Sequence, residues 1–315
     1  MRQQQTLSKS AFSSGIGLHS GGLASMAIHP APPNTGIIFV KQVGEQIVTC
    51  PATIQYLRQT DHCTTLQADD FQVQTVEHIL SALAGLEIDN AYVEVQGNEI
   101  PAADGSAAPF VEILEECGLL PQEAARTYIK IVQPIHVEDE QRSIAVLPAA
   151  LPRISYFIDF PHPLIQQQNY EHSCTPHEFI RNIAGARTFA FRHEVEFLWS
   201  RGLGLGGSLN NTVVFSESEL VNEEPLRFTD ECVRHKVLDL IGDLSLIGFP
   251  IIGHFQAKRA GHMLHTQLVE AILDNPDKWI MLNAGNTEKS DILHRATATS
   301  NSLPLPELQP AFLSV

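Results

Sequence analysis

The segment Arg234-His235-Lys236-Val237-Leu238-Asp239-Leu240-Ile241-Gly242-Asp243 spaces an imidazole and two carboxylates at steps of four residues. On a helix each such step advances by only about 40°, so His235, Asp239 and Asp243 share one side. Val233, Val237, Leu240, Ile241, Leu244 and Ile247 form an apolar stripe on an adjacent side that can bury the helix. An imidazole and a carboxylate one turn apart can hydrogen-bond to each other, or can share a small ion such as zinc, which accepts both ligand types. The segment alone leaves both readings open. A second helix is expected over residues 75–86, TVEHILSALAGL, with Thr75 as its N-cap, Gly85 near its end and Val76, Ile79, Leu80 and Leu83 as its stripe. Glu77 then falls in the first turn, where the helix dipole favours an ionised carboxylate. Neighbouring helical residues point about 100° apart, so His78 can hold a metal while Glu77 faces whatever the metal activates. His78, His235 and Asp239 together make three protein ligands, and three leave one position for water, the pattern of a catalytic zinc. Glu77 would then be the general base.

Other motifs carry weaker signals. Asp243 lies one turn beyond the ligands and can orient a further histidine; Lys258–His262 offers His262, which could equally be an exposed loop residue. Thr188, in the run Arg187–Phe191, could donate to an oxyanion or be an ordinary β-branched strand residue. Lys236 could meet a phosphate or be solvated. Gly202–Gly207 contains a formal GxGxxG, but helix precedes it and a poor helix start follows, so it reads as a flexible turn. Gly15–Gly22 lacks Gly-Lys-Ser/Thr and is no P-loop; its His19 could approach the site or serve structure. Cys63 reads as a small buried residue.

These residues need a frame, and the chain supplies one in duplicate. Residues 25–33 (SMAIHPAPP) run into Ile37-Ile38-Phe39-Val40, and residues 143–152 (SIAVLPAALP) run into Ile154-Ser155-Tyr156-Phe157-Ile158. Each piece reads as a strand, a proline turn and a second strand, and each half later supplies a helix. With 315 residues and 43% hydrophobic composition, the chain suits an α+β fold of two domains of similar topology, each a sheet layered with helices. The expected domains are 1–124 and 125–275, joined near Pro121–Thr127, with an insertion at about 189–228 rich in apolar side chains. A loosely packed tail is expected over 276–315. A net charge of −16 argues against a nucleic-acid binder. The five cysteines are scattered and form no Cys-x-x-Cys, which suits a reducing compartment. The N-terminus has no apolar signal-peptide core and no run is long enough to span a membrane, so a cytoplasmic monomer is expected.

Taken together, the motifs closely resemble the zinc-dependent UDP-3-O-acyl-N-acetylglucosamine deacetylases of lipid A biosynthesis. The resemblance is carried by Ser14–Gly22, Thr75–His78, Ile100–Phe110, Arg187–Phe191, Gly202–Asn211, Arg227–Asp243 and Gly261-His262, in the family's order over about residues 3–272. It implies an active site between the two domains, Zn²⁺ held by His78, His235 and Asp239, and Glu77 as base. It further implies Thr188 at the oxyanion, a cationic His262 oriented by Asp243, and Lys236 facing the substrate's phosphate. The insertion, with Phe189 and Phe191, would form an apolar passage for the acyl chain. The implied partner is a small molecule, an acylated UDP-sugar, which would lose its N-acetyl group as acetate. Residues 59–66, 160–178 and those after about 275 depart most from the family pattern, which bears on acyl-chain length. Two other classes fit parts of the sequence: a metal-free sugar-nucleotide or RNA-binding module, and a zinc peptidase, which the absence of His-Glu-x-x-His disfavours.

Overall fold

The computed structural model describes residues 2–283. Two five-stranded sheets form its frame. In the first the strands lie in the order Ala11–Ile16, Leu23–Pro30, Ala91–Gln96, Ile37–Val43, Gln46–Pro51. In the second the order is Ile135–Asp139, Arg142–Leu147, His254–Lys258, Arg153–Phe160, Gln166–Ser173. The pairings correspond one for one: every neighbouring pair is antiparallel except one parallel pair in each sheet. Those parallel pairs are Ile37–Val43 with Ala91–Gln96, and Arg153–Phe160 with His254–Lys258. The two repeated segments of the sequence occupy equivalent strands, Leu23–Pro30 with Ile37–Val43 in one sheet and Arg142–Leu147 with Arg153–Phe160 in the other.

Parallel strands require a crossover connection, and each sheet sends its crossover over the face that meets the other half. The first crossover carries a small sheet of Leu57–Gln59, Thr65–Ala68 and Phe71–Val73, then helix α1 (Glu77–Gly85). Helix α2 (Ala108–Cys117) follows the sheet's last strand. The second crossover carries α3 (Pro176–Asn182), the strand Phe189–Phe191, α4 (Arg192–Ser200), the strand Val213–Phe215 and α5 (Glu231–Leu244); α6 (His262–Asp274) follows. Helix α5 packs on Arg153–Phe160, α6 on Ile135–Asp139, and α1 on α5, so α1 and α5 carry the contact between the two halves. The expected apolar stripe of α5 is buried, with Val233, Val237 and Leu240 at 0% exposure. Over residues 77–83 of α1 the burial is complete rather than striped: Glu77, His78, Ser81 and Ala82 are as buried as Ile79, Leu80 and Leu83. A helix buried on every side is one enclosed by other elements.

The two helices meet at backbone distance. A Cβ added at Gly242 of α5 would lie 2.1 Å from the carbonyl oxygen of Glu77 and 2.9 Å from its Cα. Only glycine permits that approach.

Two expectations change, and the junction between the halves gains a description. Thr75 does not cap α1: it takes a left-handed backbone (φ 58°) and its hydroxyl donates to Glu99 Oε1 at 2.8 Å, so the helix begins at Glu77. The expected junction near Pro121–Thr127 contains a paired strand, Leu119–Ala125, which runs antiparallel to Gln3–Leu7. The segment after 275 is packed as far as it is described: Trp279–Leu282 pairs with Tyr128–Ile131, and the fully buried Trp279 donates its indole N–H to Ile272 O at 2.7 Å. The rest of the expected tail, 284–315, lies outside the described residues. Among the described residues no helix is long and apolar enough to cross a membrane.

Gly242→Ala forces apart two buried helix backbones. It should cost about 1–3 kcal/mol or more in urea unfolding, and it should weaken metal retention with it. Wild-type stability would remove the helix contact from the argument.

Candidate active site

Helix α1 presents His78 and helix α5 presents His235 and Asp239 to one point between the halves. Their nearest ligand atoms all lie within 4.8 Å of one another, and all three residues are buried. His235 Nε2 is 3.3 Å and His78 Nε2 3.8 Å from Asp239 Oδ1, and the two imidazoles meet edge to face at 5.1 Å between centroids. His235 Nδ1 lies 3.0 Å from the carbonyl oxygen of Ala186. A carbonyl can only accept, so Nδ1 carries the proton and Nε2 keeps its lone pair toward Asp239 and His78. Burial lowers the pKa of both imidazoles, that of His78 to about 3, which leaves them neutral and able to ligate. Asp239 is held well below the usual carboxylate range: burial opposes ionisation, but His235, Lys236 and His262 outweigh it. Two neutral imidazoles and one carboxylate suit a divalent ion such as zinc.

Ala186 keeps its place through its neighbour. Arg187 is 2% exposed and forms a two-pronged pair with Glu231 (Nε–Oε1 2.9 Å, Nη2–Oε2 3.2 Å), with Glu224 Oε2 at 3.0 Å from Nη1. Thr188, two residues beyond Ala186, is fixed by backbone bonds, its N–H to Gly105 O and its carbonyl to Val213 N–H, both at 2.8 Å.

A second cluster adjoins the first. Asp243 Oδ2 accepts from His262 Nδ1 at 2.7 Å and from His265 Nδ1 at 2.8 Å, and Oδ1 accepts from Thr64 Oγ1 at 2.6 Å. His265 is anchored behind by the Tyr156 hydroxyl at 2.9 Å. The bond to Asp243 leaves His262 Nε2 toward the metal group, 4.0 Å from Asp239 Oδ2. Burial alone would lower the His262 pKa, but the carboxylates of Asp243 and Asp239 raise it to about 9. His262 opens α6 rather than lying in an exposed loop. Glu77 accepts from the backbone N–H of Thr64 at 3.0 Å, so Thr64 ties the expected base to the Asp243 cluster. Burial, opposed by His262 and aided by Asp243 and Asp239, pushes the Glu77 carboxyl up to about 8; a divalent ion at the neighbouring ligands would favour its ionised, basic form. Neither Thr64 nor His265 was expected. His265 had a signal, standing three residues after His262 and so on the same face of a helix; Thr64 reaches the site from the loop just before the strand Thr65–Ala68 and had none.

Lys236 has a partner the sequence did not suggest. Its ammonium donates to Asp239 Oδ2 at 2.8 Å and lies 5.6 Å from the centroid of the Phe189 ring. Phe189 and Phe191 pack into an aromatic cluster with Phe160, Phe215 and His162. Beyond it α4 and the loop that follows expose Phe197, Trp199, Leu205 and Leu209 at 57%, 54%, 54% and 44%. The two glycine-rich loops meet each other. Leu205 N–H donates to His19 O and Gly206 N–H to Leu18 O, and a Cβ at Gly206 would lie 2.1 Å from Gly17 O. Gly202–Gly207 is thus a docking edge between the halves instead of a free turn. His19 is buried beside that junction. The Cys63 thiol is buried and its pKa is pushed up to about 12, chiefly by burial.

The sign of the His262 shift sets a pH effect. Its folded pKa lies above the unfolded value of 6.5, so its contribution to stability is fully present below pH 6.5 and is lost as pH rises through about 9. The contribution is on the order of 3 kcal/mol. In the metal-stripped protein, NMR titration should show His262 protonated at neutral pH, and Asp243→Asn should bring its pKa down and flatten that part of the stability profile. A His262 pKa unmoved by Asp243→Asn would refute the pairing.

Comparison with known proteins agrees with the geometry. A family profile described as UDP-3-O-acyl N-acetylglycosamine deacetylase matches residues 4–274. Proteins named UDP-3-O-acyl-N-acetylglucosamine deacetylase from Syntrophotalea carbinolica and Myxococcus xanthus are each 44% identical over 285 residues, covering 90% of this chain and 92% and 91% of theirs. One from Histophilus somni is 41% identical over 292 residues, covering 92% of this chain and 96% of its own. A match of that extent, over a site of this composition, places the chain in the UDP-3-O-acyl-N-acetylglucosamine deacetylase family.

Proposed function

We propose that this chain hydrolyses the N-acetyl group of UDP-3-O-acyl-N-acetylglucosamine, giving acetate and UDP-3-O-acyl-glucosamine, the committed step of lipid A biosynthesis. It would act on this small molecule in the cytoplasm as a monomer. The observation that carries the reading is the convergence of His78, His235 and Asp239 beside a buried Glu77 and a charged His262. Those three ligands would hold Zn²⁺, which supplies Lewis acidity toward the amide carbonyl and toward water.

The chain's own residues do the rest. Glu77, held by Thr64 N–H, takes a proton from the attacking water. The water oxygen bonds to the acetyl carbon, and the negative charge that develops on the carbonyl oxygen is met by Thr188 and by the His262 imidazolium. Asp243 keeps that imidazolium charged and pointed inward. The C–N bond then breaks as the amine takes a proton from the Glu77–His262 pair. Lys236 compensates the second oxygen of Asp239 and would offer a positive charge to a diphosphate. The aromatic cluster around Phe189 and Phe191 and the exposed apolar residues of α4 suit an acyl chain.

Metal analysis of the purified protein, coupled to acetate release from the acylated UDP-sugar, tests the reading. Glu77→Gln should keep the metal and lose activity by at least roughly 10² to 10⁴-fold. His78→Ala should lose metal and activity together. Normal turnover by Glu77→Gln would refute the base, and a protein with neither metal nor acetate release would refute the function.

A further inference from the structure

A cavity of about 320 Å³ lies between the two halves, away from the site described above. Its walls include Leu80 and Leu83 of α1 and Ile241 and Leu244 of α5. These stand roughly half a turn round their helices from His78 and Asp239, so the cavity occupies the opposite face of the helix pair. Such a volume falls within the range of small-molecule pockets. The lining is largely apolar but holds two buried polar groups with no hydrogen-bond partner among the described residues: both ring nitrogens of His172, which is 2% exposed, and the hydroxyl of Thr53. Buried polar groups in folded proteins are nearly always satisfied, and an unpartnered pair lining one cavity points to a ligand that satisfies them.

The charge of that ligand is constrained. The wall's one guanidinium, Arg126, is taken by Asp89 at 2.7 Å and by Glu87 at 3.0 Å, and Glu87 also pairs with Arg2, so neither an anionic nor a cationic head finds an unengaged counter-charge. Burial lowers the His172 pKa to about 4, so the ring is neutral and offers no charge to either kind of ionic head. A neutral imidazole donates one hydrogen bond and accepts one. A hydroxyl does both.

We propose that this cavity binds an uncharged amphiphile, an apolar chain or ring system bearing a hydroxyl head that pairs with His172. The test uses the full chain with methyl-labelled Ile and Leu and labelled histidine, titrated separately with 1-octanol and with octanoate. 1-Octanol should shift the Leu80 and Ile154 methyl resonances and the His172 ring resonances saturably, and octanoate should bind at least ten-fold more weakly. His172→Leu keeps the cavity and should weaken octanol binding by roughly 3- to 10-fold. Ala84→Trp fills the cavity and should abolish the methyl shifts while the cooperative thermal unfolding of the protein persists. No saturable shift, equal binding of octanoate, or wild-type octanol affinity in both variants would overturn the proposal.

Discussion

The close passage of Gly242 over the carbonyl of Glu77 is the contact on which the site's geometry depends. One helix belongs to each half of the molecule, and neither carries a complete set of ligands. Helix α1 brings an imidazole and a carboxylate; α5 brings an imidazole and two carboxylates. They form one site only because a missing side chain lets the two backbones approach within van der Waals distance, so that His78 Nε2 comes within 3.8 Å of Asp239. Helices α5, α2 and α3 pack around α1 and bury Glu77–Leu83, and a helix so enclosed cannot roll to relieve a misplaced ligand.

Electrostatics depend on that enclosure. Three carboxylates are buried in one neighbourhood, and each is given something to answer its charge. Asp239 has Lys236 and the imidazoles, Asp243 has His262, His265 and the Thr64 hydroxyl, and Glu77 has the Thr64 N–H and the nearby His262. The environments differ enough to separate their proton affinities: Asp239 and Asp243 are pushed down while Glu77 is pushed up. Carboxylates driven apart in this way take different roles, two fixed in charge and one able to exchange a proton. The cationic His262 is the counterpart of Glu77, charged because the carboxylates of Asp243 and Asp239 outweigh the cost of its burial.

Much of this was legible in the sequence because it is local. The four-residue spacing of His235, Asp239 and Asp243 survives into the structure since a helix converts spacing directly into facing. The duplicated strand–turn–strand segments proved to be equivalent strands of two sheets with the same order, because a period-two pattern bounded by prolines leaves few alternatives. What could not be read depends on contacts between distant parts of the chain. Thr75 looks like an N-cap, yet Glu99, which also receives the backbone N–H groups of His19 and Ser20, draws its hydroxyl away and holds it in a left-handed conformation unusual for a β-branched residue. Trp279–Leu282 looks like tail because its partner strand lies some 150 residues earlier in the chain. The glycines of 202–207 look mobile because the loop they dock against is at the other end of the sequence.

The duplicated sheets also bear on how the molecule can change. In each half the site-bearing helix lies in the crossover between the two parallel strands, and the sheet constrains only where that crossover leaves and returns. The first half fills its crossover with a small sheet, the second with the aromatic strands and α4. The content of a crossover is therefore a cassette that can lengthen, shorten or be exchanged without altering strand order or the meeting of α1 and α5. The aromatic strands with α4 and the helix that carries His235 and Asp239 are thus separately adjustable parts of one connection.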